Sequence, residues 1–144
     1  MYFGSFVHFL DDKNRLVIPS KMRGQIGEKL FILKGYDGCL ALYPEESFNE
    51  YMSQLADFSF LDKDSRDVTR IALSSVSELE VDKASRIQIP TALVNKYQIG
   101  HEVVVVGMFD HIEVWAKARW DEYVKENEAA YEAKSEQLLK KNND

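Results

Sequence analysis

One short motif occurs twice in this chain. Leu10-Asp11-Asp12-Lys13-Asn14-Arg15-Leu16-Val17-Ile18-Pro19-Ser20 aligns with Val81-Asp82-Lys83-Ala84-Ser85-Arg86-Ile87-Gln88-Ile89-Pro90-Thr91 at a constant offset of 71. Asp11 meets Asp82, Arg15 meets Arg86 and Pro19 meets Pro90, and the apolar positions between them agree. The match continues downstream. Residues 30–33 correspond to 103–106, residues 40–43 to 112–115, Phe48 to Trp120 and Tyr51 to Tyr123, with the small drift in offset that loop insertions produce. Chance supplies one Asp-x-x-x-Arg. It does not readily supply two, each followed by strand, proline, helix, strand and strand. The chain is an internal duplication, and that resets every question about its fold.

Within one unit, residues 4–10 read as a strand, and Asp11–Asn14 as a polar turn. Residues 15–18 read as a second strand. In the second copy Ile87 and Ile89 point one way, while Arg86 and Gln88 point the other. Pro19 and Pro90 end these strands because proline cannot donate to a ladder. Short helices follow at 20–25 and 91–97, stopped by Gly27 and Gly100. Two further strands are expected at 29–34 and 39–43, and again at 102–107 and 111–115. An amphipathic helix closes each unit: 44–55 in the first, and one long helix from 116 towards 140 in the second. A linker helix near 65–73 carries Val68, Ile71 and Ala72 on one face.

A unit of about 45 residues buries too little surface to stand alone without staples. Cys39 is the only cysteine, so no internal disulfide is available. His8, His101 and His111 lack metal-ligand spacing, and no metal or cofactor is expected. The copies must then share one core, and exchanging hairpins between them also covers strand edges. The expected fold is α+β: two tandem pseudo-symmetric swapped-hairpin β units around a barrel-like core, with flanking amphipathic helices. The expected division is a first repeat at 5–48, a helical linker at 49–75, a second repeat at 76–120, and a C-terminal helix and tail at 121–144.

These residues resemble the MraZ family, within the wider SpoVT/AbrB-like swapped-hairpin group. The resemblance is carried by 10–19, by Asp82-x-x-x-Arg86-Ile87-x-Ile89-Pro90, by Leu42-Tyr43-Pro44 and by Val105-Val106-Gly107-x-Phe109-x-x-Ile112-Glu113-Val114-Trp115, and it covers nearly the whole chain. It implies a sequence-specific transcription regulator of the cell-division and cell-wall gene cluster, cytoplasmic and nucleoid-associated. It implies a ring-shaped homo-oligomer on double-stranded DNA that carries repeated promoter sites. Asn14 departs from the glycine of many relatives, but asparagine tolerates a left-handed backbone. Ser85 takes the corresponding place in the second copy.

The net charge of -6 opposes non-specific binding to nucleic acid, so a DNA reading rests on where the cations sit. Between Lys13 and Arg23 there are four basic residues and no acidic one; between Lys83 and Lys96 there are three and none. Acidic charge gathers at Glu45, Glu46 and Glu50, and from Asp121 to Glu136. Arg15 and Arg86 are the expected DNA-reading residues, because a guanidinium fork bonds a guanine edge in two places or clamps a phosphate. Lys13 and Lys83 are expected on phosphates. Asp11 and Asp82 are expected to orient the arginines and hold the turns. Nothing suggests an enzyme: there is no nucleophile elbow, no phosphate loop, and Asp11-Asp12 point to opposite faces. Residues 1–5 lack a signal-peptide pattern, and no apolar run spans a membrane. The alternative from another class is a ring-forming protein scaffold without sequence-specific DNA binding.

Overall fold

The computed structural model describes residues 1–143. Its first repeat runs β1 (Ser5–Phe9), β2 (Arg15–Val17), a 3-10 helix (Ser20–Gln25), β3 (Lys29–Lys34), β4 (Leu40–Pro44), α1 (Glu45–Ala56) and α2 (Lys63–Ser74). The second runs β5 (Ser77–Glu80), β6 (Arg86–Gln88), α3 (Thr91–Lys96), β7 (Glu102–Met108), β8 (His111–Ala116), α4 (Lys117–Glu128) and α5 (Tyr131–Asn143). The fold is α+β.

Six strands form one antiparallel sheet in the order β1-β7-β8-β4-β3-β5. The first strand of each repeat therefore pairs with the other repeat: β1 lies on β7, and β5 on β3. The remaining two strands, β2 and β6, form a separate antiparallel ribbon. The sheet has two edges, β1 and β5, so the barrel-like core expected from sequence is instead an open sheet with a ribbon apart from it. The strands of the ribbon are three residues long, and Pro19 and Pro90 follow almost at once. Without an N–H to donate, neither strand extends into the sheet's ladder.

One apolar cluster joins sheet and ribbon. Leu16, Ile18, Leu30, Ile32 and Leu42 from the first repeat pack with Ile87, Ile89, Val103, Val105 and Ile112 from the second, all essentially buried. On the opposite face of the sheet, Phe31 and Phe48 stack at 4.0 Å under α1. Trp120 and Tyr123 of α4 cover Trp115, so this aromatic stripe is helix packing.

Three local expectations change. The long C-terminal helix is two helices: at Ala129–Ala130 the backbone tightens, with Ala130 N donating to Asn127 O, an i→i−3 bond. Gly27 adopts φ +76 as expected of a helix stop, but after α3 the left-handed residue is Gln98 (φ 53), not Gly100. In the linker helix only Ala72 is buried; Val68 and Ile71 face outward. Among the described residues, no helix is long and apolar enough to cross a membrane.

Candidate nucleic-acid interface

Each copy of the motif builds the same turn. Asp11 Oδ1 accepts from the backbone N–H of Lys13 (2.9 Å) and Arg15 (2.8 Å), and Oδ2 accepts from Arg15 Nε (2.6 Å). In the second copy Asp82 Oδ1 takes the N–H of Ala84 (2.8 Å) and Arg86 (2.9 Å), and Oδ2 takes Arg86 Nε (2.9 Å). The four-residue spacing is what lets one carboxylate close the turn and hold the arginine together. Both carboxyls lie below the ordinary aspartate range, first through the backbone N–H of the arginine and then through its guanidinium. The backbone reverses at Asn14 (φ 61) and Ser85 (φ 59), so serine adopts the same left-handed geometry as asparagine.

The turns are locked across the repeats. Ile18 N donates to Ser85 O at 2.8 Å, and Ile89 N to Asn14 O at 2.9 Å. Gln88 Nε2 adds a bond to Lys13 O at 3.0 Å. Gln88 was legible only as an outward-facing strand residue; its role in holding the first turn needs the pairing register to be seen.

That register decides the geometry of the site. Leu16 faces Ile87 at the centre of the ribbon, with Arg15 opposite Gln88 and Val17 opposite Arg86. Leu16 and Ile87 are fully buried, so alternation turns Arg15, Val17, Arg86 and Gln88 to the other face. Arg15 and Arg86, 71 residues apart in sequence, are diagonal neighbours, a relation that places Cβ atoms about 7–8 Å apart or less. Each aspartate occupies only the Nε edge of its arginine. Among the described residues no protein acceptor takes the Nη groups. Because the strands are antiparallel, the two turns lie at opposite ends of the ribbon, with Lys13 exposed on one and Lys83 on the other. At about 3.3 Å per residue, the line from Lys13 to Lys83 spans roughly 20 Å.

Residues 11–23 and 82–96 hold seven of the 18 basic residues and three of the 24 acidic ones, a local excess of +4 in a chain of -6. Two of those three acids are the aspartates paired to the arginines. The third, Asp12, stands where the second copy has Lys83.

Two copies of one hairpin turn, meeting in a ribbon that carries Arg15 and Arg86 on one face and Lys13 and Lys83 on its end turns, define a duplicated β-ribbon protein. Two further findings name its kin. The family model described as "MraZ protein, putative antitoxin-like" matches residues 1–71 and again 72–142. Proteins named Transcriptional regulator MraZ are similar to the chain over nearly its whole length. That of Moorella thermoacetica is 37% identical over 139 residues, covering 96% of this chain and 97% of the relative. That of Desulforamulus reducens is 35% identical over 139 residues (96% and 98%), and that of Mesoplasma florum 38% over 128 residues (88% of each). The chain belongs to the MraZ family.

Proposed function

We propose that this chain is a sequence-specific DNA-binding transcription regulator that inserts the β2–β6 ribbon into a major groove. The observation that carries the reading is the pairing register, which sets Arg15 and Arg86 side by side with their Nη groups free. A two-stranded ribbon fits the roughly 12 Å major groove, and a guanidinium offers guanine O6 and N7 two parallel bonds. Lys13 and Lys83 at the ends of the ribbon reach the flanking phosphates, while Asp11 and Asp82 keep both arginines in one rotamer before DNA arrives, which lowers the ordering cost of binding. The relatives' shared name supports regulation of transcription. The resemblance to the family extends the reading to promoter repeats of the cell-division and cell-wall gene cluster, bound in the cytoplasm at the nucleoid by a ring of chains. In this reading 5–48 and 76–120 are pseudo-symmetric swapped-hairpin units, 49–75 a helical linker and 121–144 a C-terminal helix and tail.

The test is retention of duplex DNA from the protein's own upstream region against a scrambled duplex at fixed salt. Selective retention that disappears in the Arg15→Ala/Arg86→Ala double variant is the expected result. Equal retention of both duplexes, or of neither, overturns the reading in favour of a protein scaffold.

A further inference from the structure

The two ends of the ribbon are not equivalent. Each turn lies beside the helix that follows the proline of the other repeat. Ile18 N donates to Ser85 O of the second turn, and Ile89 N to Asn14 O of the first. The 3-10 helix (Ser20–Gln25) therefore adjoins the second turn, and α3 the first, where Asn14 Nδ2 reaches Thr91 Oγ1 at 3.5 Å. The offset of 71 places Lys21 over Ala92 and Arg23 over Val94, so two cations of the first helix have apolar counterparts in the second. The turns differ in the same direction, with Asp12 over Lys83 and Lys13 over Ala84. Apart from the Asp–Arg pairs, the first turn carries Asp12 and Lys13 and is neutral, whereas the second carries Lys83 alone and is cationic.

Arg23 is the side chain that this asymmetry brings to the second turn. Its Nε donates to Ile18 O at 2.8 Å, and the N–H of the same Ile18 is held by Ser85. The residue is exposed, and among the described residues no protein acceptor takes its Nη groups. A guanidinium anchored through Nε still presents both Nη groups as a fork, the form that binds phosphate in two places. Arg23 shares a recess of about 200 Å³ with Asp82 and Ser85 of the turn and with Glu28. Asp82 is already closed by two backbone N–H groups and by Arg86 Nε. The two carboxylates oppose capture of a free anion, so the fork suits an anion that other contacts hold in place. A phosphate next to one engaged by Lys83 is such an anion.

We infer that Arg23 is a further DNA-contacting residue, a phosphate clamp at the second-turn end of the ribbon with no counterpart at the other end. The bond to Ile18 O restrains the side chain before DNA arrives, which lowers the ordering cost of the contact. The clamp adds about 0.9 to the log–log salt slope beyond the share of the ribbon's lysines, or roughly 3.5-fold in affinity between about 50 and 200 mM salt. It positions the duplex and reads no base. The inference deepens the DNA-binding reading above and rests on it.

Full-length protein is titrated against the labelled upstream duplex across the salt range, unmodified and as Arg23→Gln and Arg23→Lys. Glutamine keeps an N–H donor without the charge, and lysine keeps the charge without the fork. The expected result is a slope lower by about 0.9 for Arg23→Gln, an unchanged preference over a scrambled duplex, and a slope restored in Arg23→Lys. Single methylphosphonates, which neutralise one phosphate at a time, are then scanned along the duplex. The position to which Arg23→Gln becomes indifferent is expected beside the one lost in Lys83→Ala and away from the one lost in Lys13→Ala. An unchanged slope in Arg23→Gln overturns the inference and spares the ribbon reading. A slope that falls in both Arg23 variants together with their melting temperature marks the residue as support for Ile18 alone and also overturns it, as does indifference next to the Lys13 phosphate. Unmodified protein that retains neither duplex overturns the DNA-binding reading, and the inference with it.

Discussion

The division of labour on the ribbon can be read from the salt dependence of binding. Lys13 and Lys83 sit on the exposed turns at its ends, while Arg15 and Arg86 sit on its central face. With the two lysines on phosphates and the two arginines on bases, the ribbon of one chain contributes about 1.8 to the log–log slope, because each phosphate contact adds about 0.9. These contacts make affinity fall roughly 12-fold between about 50 and 200 mM salt. The Lys13→Ala/Lys83→Ala variant removes both contacts. The slope should fall by about 1.8, which abolishes that roughly 12-fold loss, with little change in the preference for the upstream duplex over a scrambled one. The Arg15→Ala/Arg86→Ala variant should do the reverse. Each bidentate arginine contact is worth about 1–3 kcal/mol of discrimination, so preference should fall about 5- to 150-fold per arginine. Fluorescence anisotropy of a labelled duplex titrated across the salt range gives both quantities. A lysine variant with an unchanged slope refutes the placement of the turns on phosphates. An arginine variant that lowers the slope while preference survives shows that the arginines clamp phosphates, and refutes base reading.

Other consequences follow from the site's support. Leu16 is fully buried at the centre of the ribbon, so Leu16→Ala should cost about 2–5 kcal/mol and lower Tm by roughly 7–17 °C; a loss no larger than that of Val7→Ala, at a half-exposed position, would mean the ribbon is not anchored to the core. The Asp11 and Asp82 carboxyls have depressed pKa values in the folded chain, so their stabilisation is complete above the ordinary aspartate value of about 3.9 and lost as pH falls through the folded values. Turn geometry and DNA preference should hold from neutral pH down to about 4, and carboxyl-carbon NMR should give midpoints below 3.8 for both residues; a midpoint at or above that value contradicts the hydrogen-bonded turn. Ser85 adopts φ 59 without glycine's freedom, so Ser85→Gly should stabilise by about 0.5–1 kcal/mol in urea unfolding, and a loss of stability would show that the serine side chain supports the turn.

Much of this was legible because the repeat supplies two readings of each element. The turn at Asp11–Asn14 and the strand after it are short and weakly patterned. The cleaner alternation of Ile87 and Ile89 with Arg86 and Gln88 disambiguates them. The cationic segments are likewise visible in the sequence, where Lys13–Arg23 and Lys83–Lys96 contain basic residues and no acidic one. What stayed hidden depends on pairing across the chain. The open sheet is set by which strands find which edges, and local periodicity carries no such information. The break at Ala129–Ala130 lies in a stretch of good helix formers, where the last turn of α4 tightens and nothing on the body of the protein holds the next turn in line. Gln98 takes the left-handed position after α3 although Gly100 stands two residues away, so composition pointed to the right turn and the wrong residue. Val68 and Ile71 lie on one helical face beside Ala72, but amphipathic spacing does not reveal whether the surface it presents is covered within the chain or left open.

The candidate site also explains why the duplication matters. Arg15 belongs to the first repeat and Arg86 to the second, and only the pairing of β2 with β6 makes them neighbours. Neither repeat holds a ribbon by itself: each contributes one three-residue strand, too short to persist without its partner. The same pairing buries Leu16 against Ile87, and backbone bonds from Ile18 to Ser85 and from Ile89 to Asn14 tie each turn to the other repeat's strand. Folding of the shared core and assembly of the cationic face are therefore one event. A chain cut between the repeats would lose the face with the core, and a mutation that loosens the ribbon would weaken DNA binding without touching a cation. In the function proposed above, this coupling lets an acidic chain set Lys13, Arg15, Lys83 and Arg86 along one rigid ribbon, within two segments whose local surplus is +4, while the negative charge gathers elsewhere.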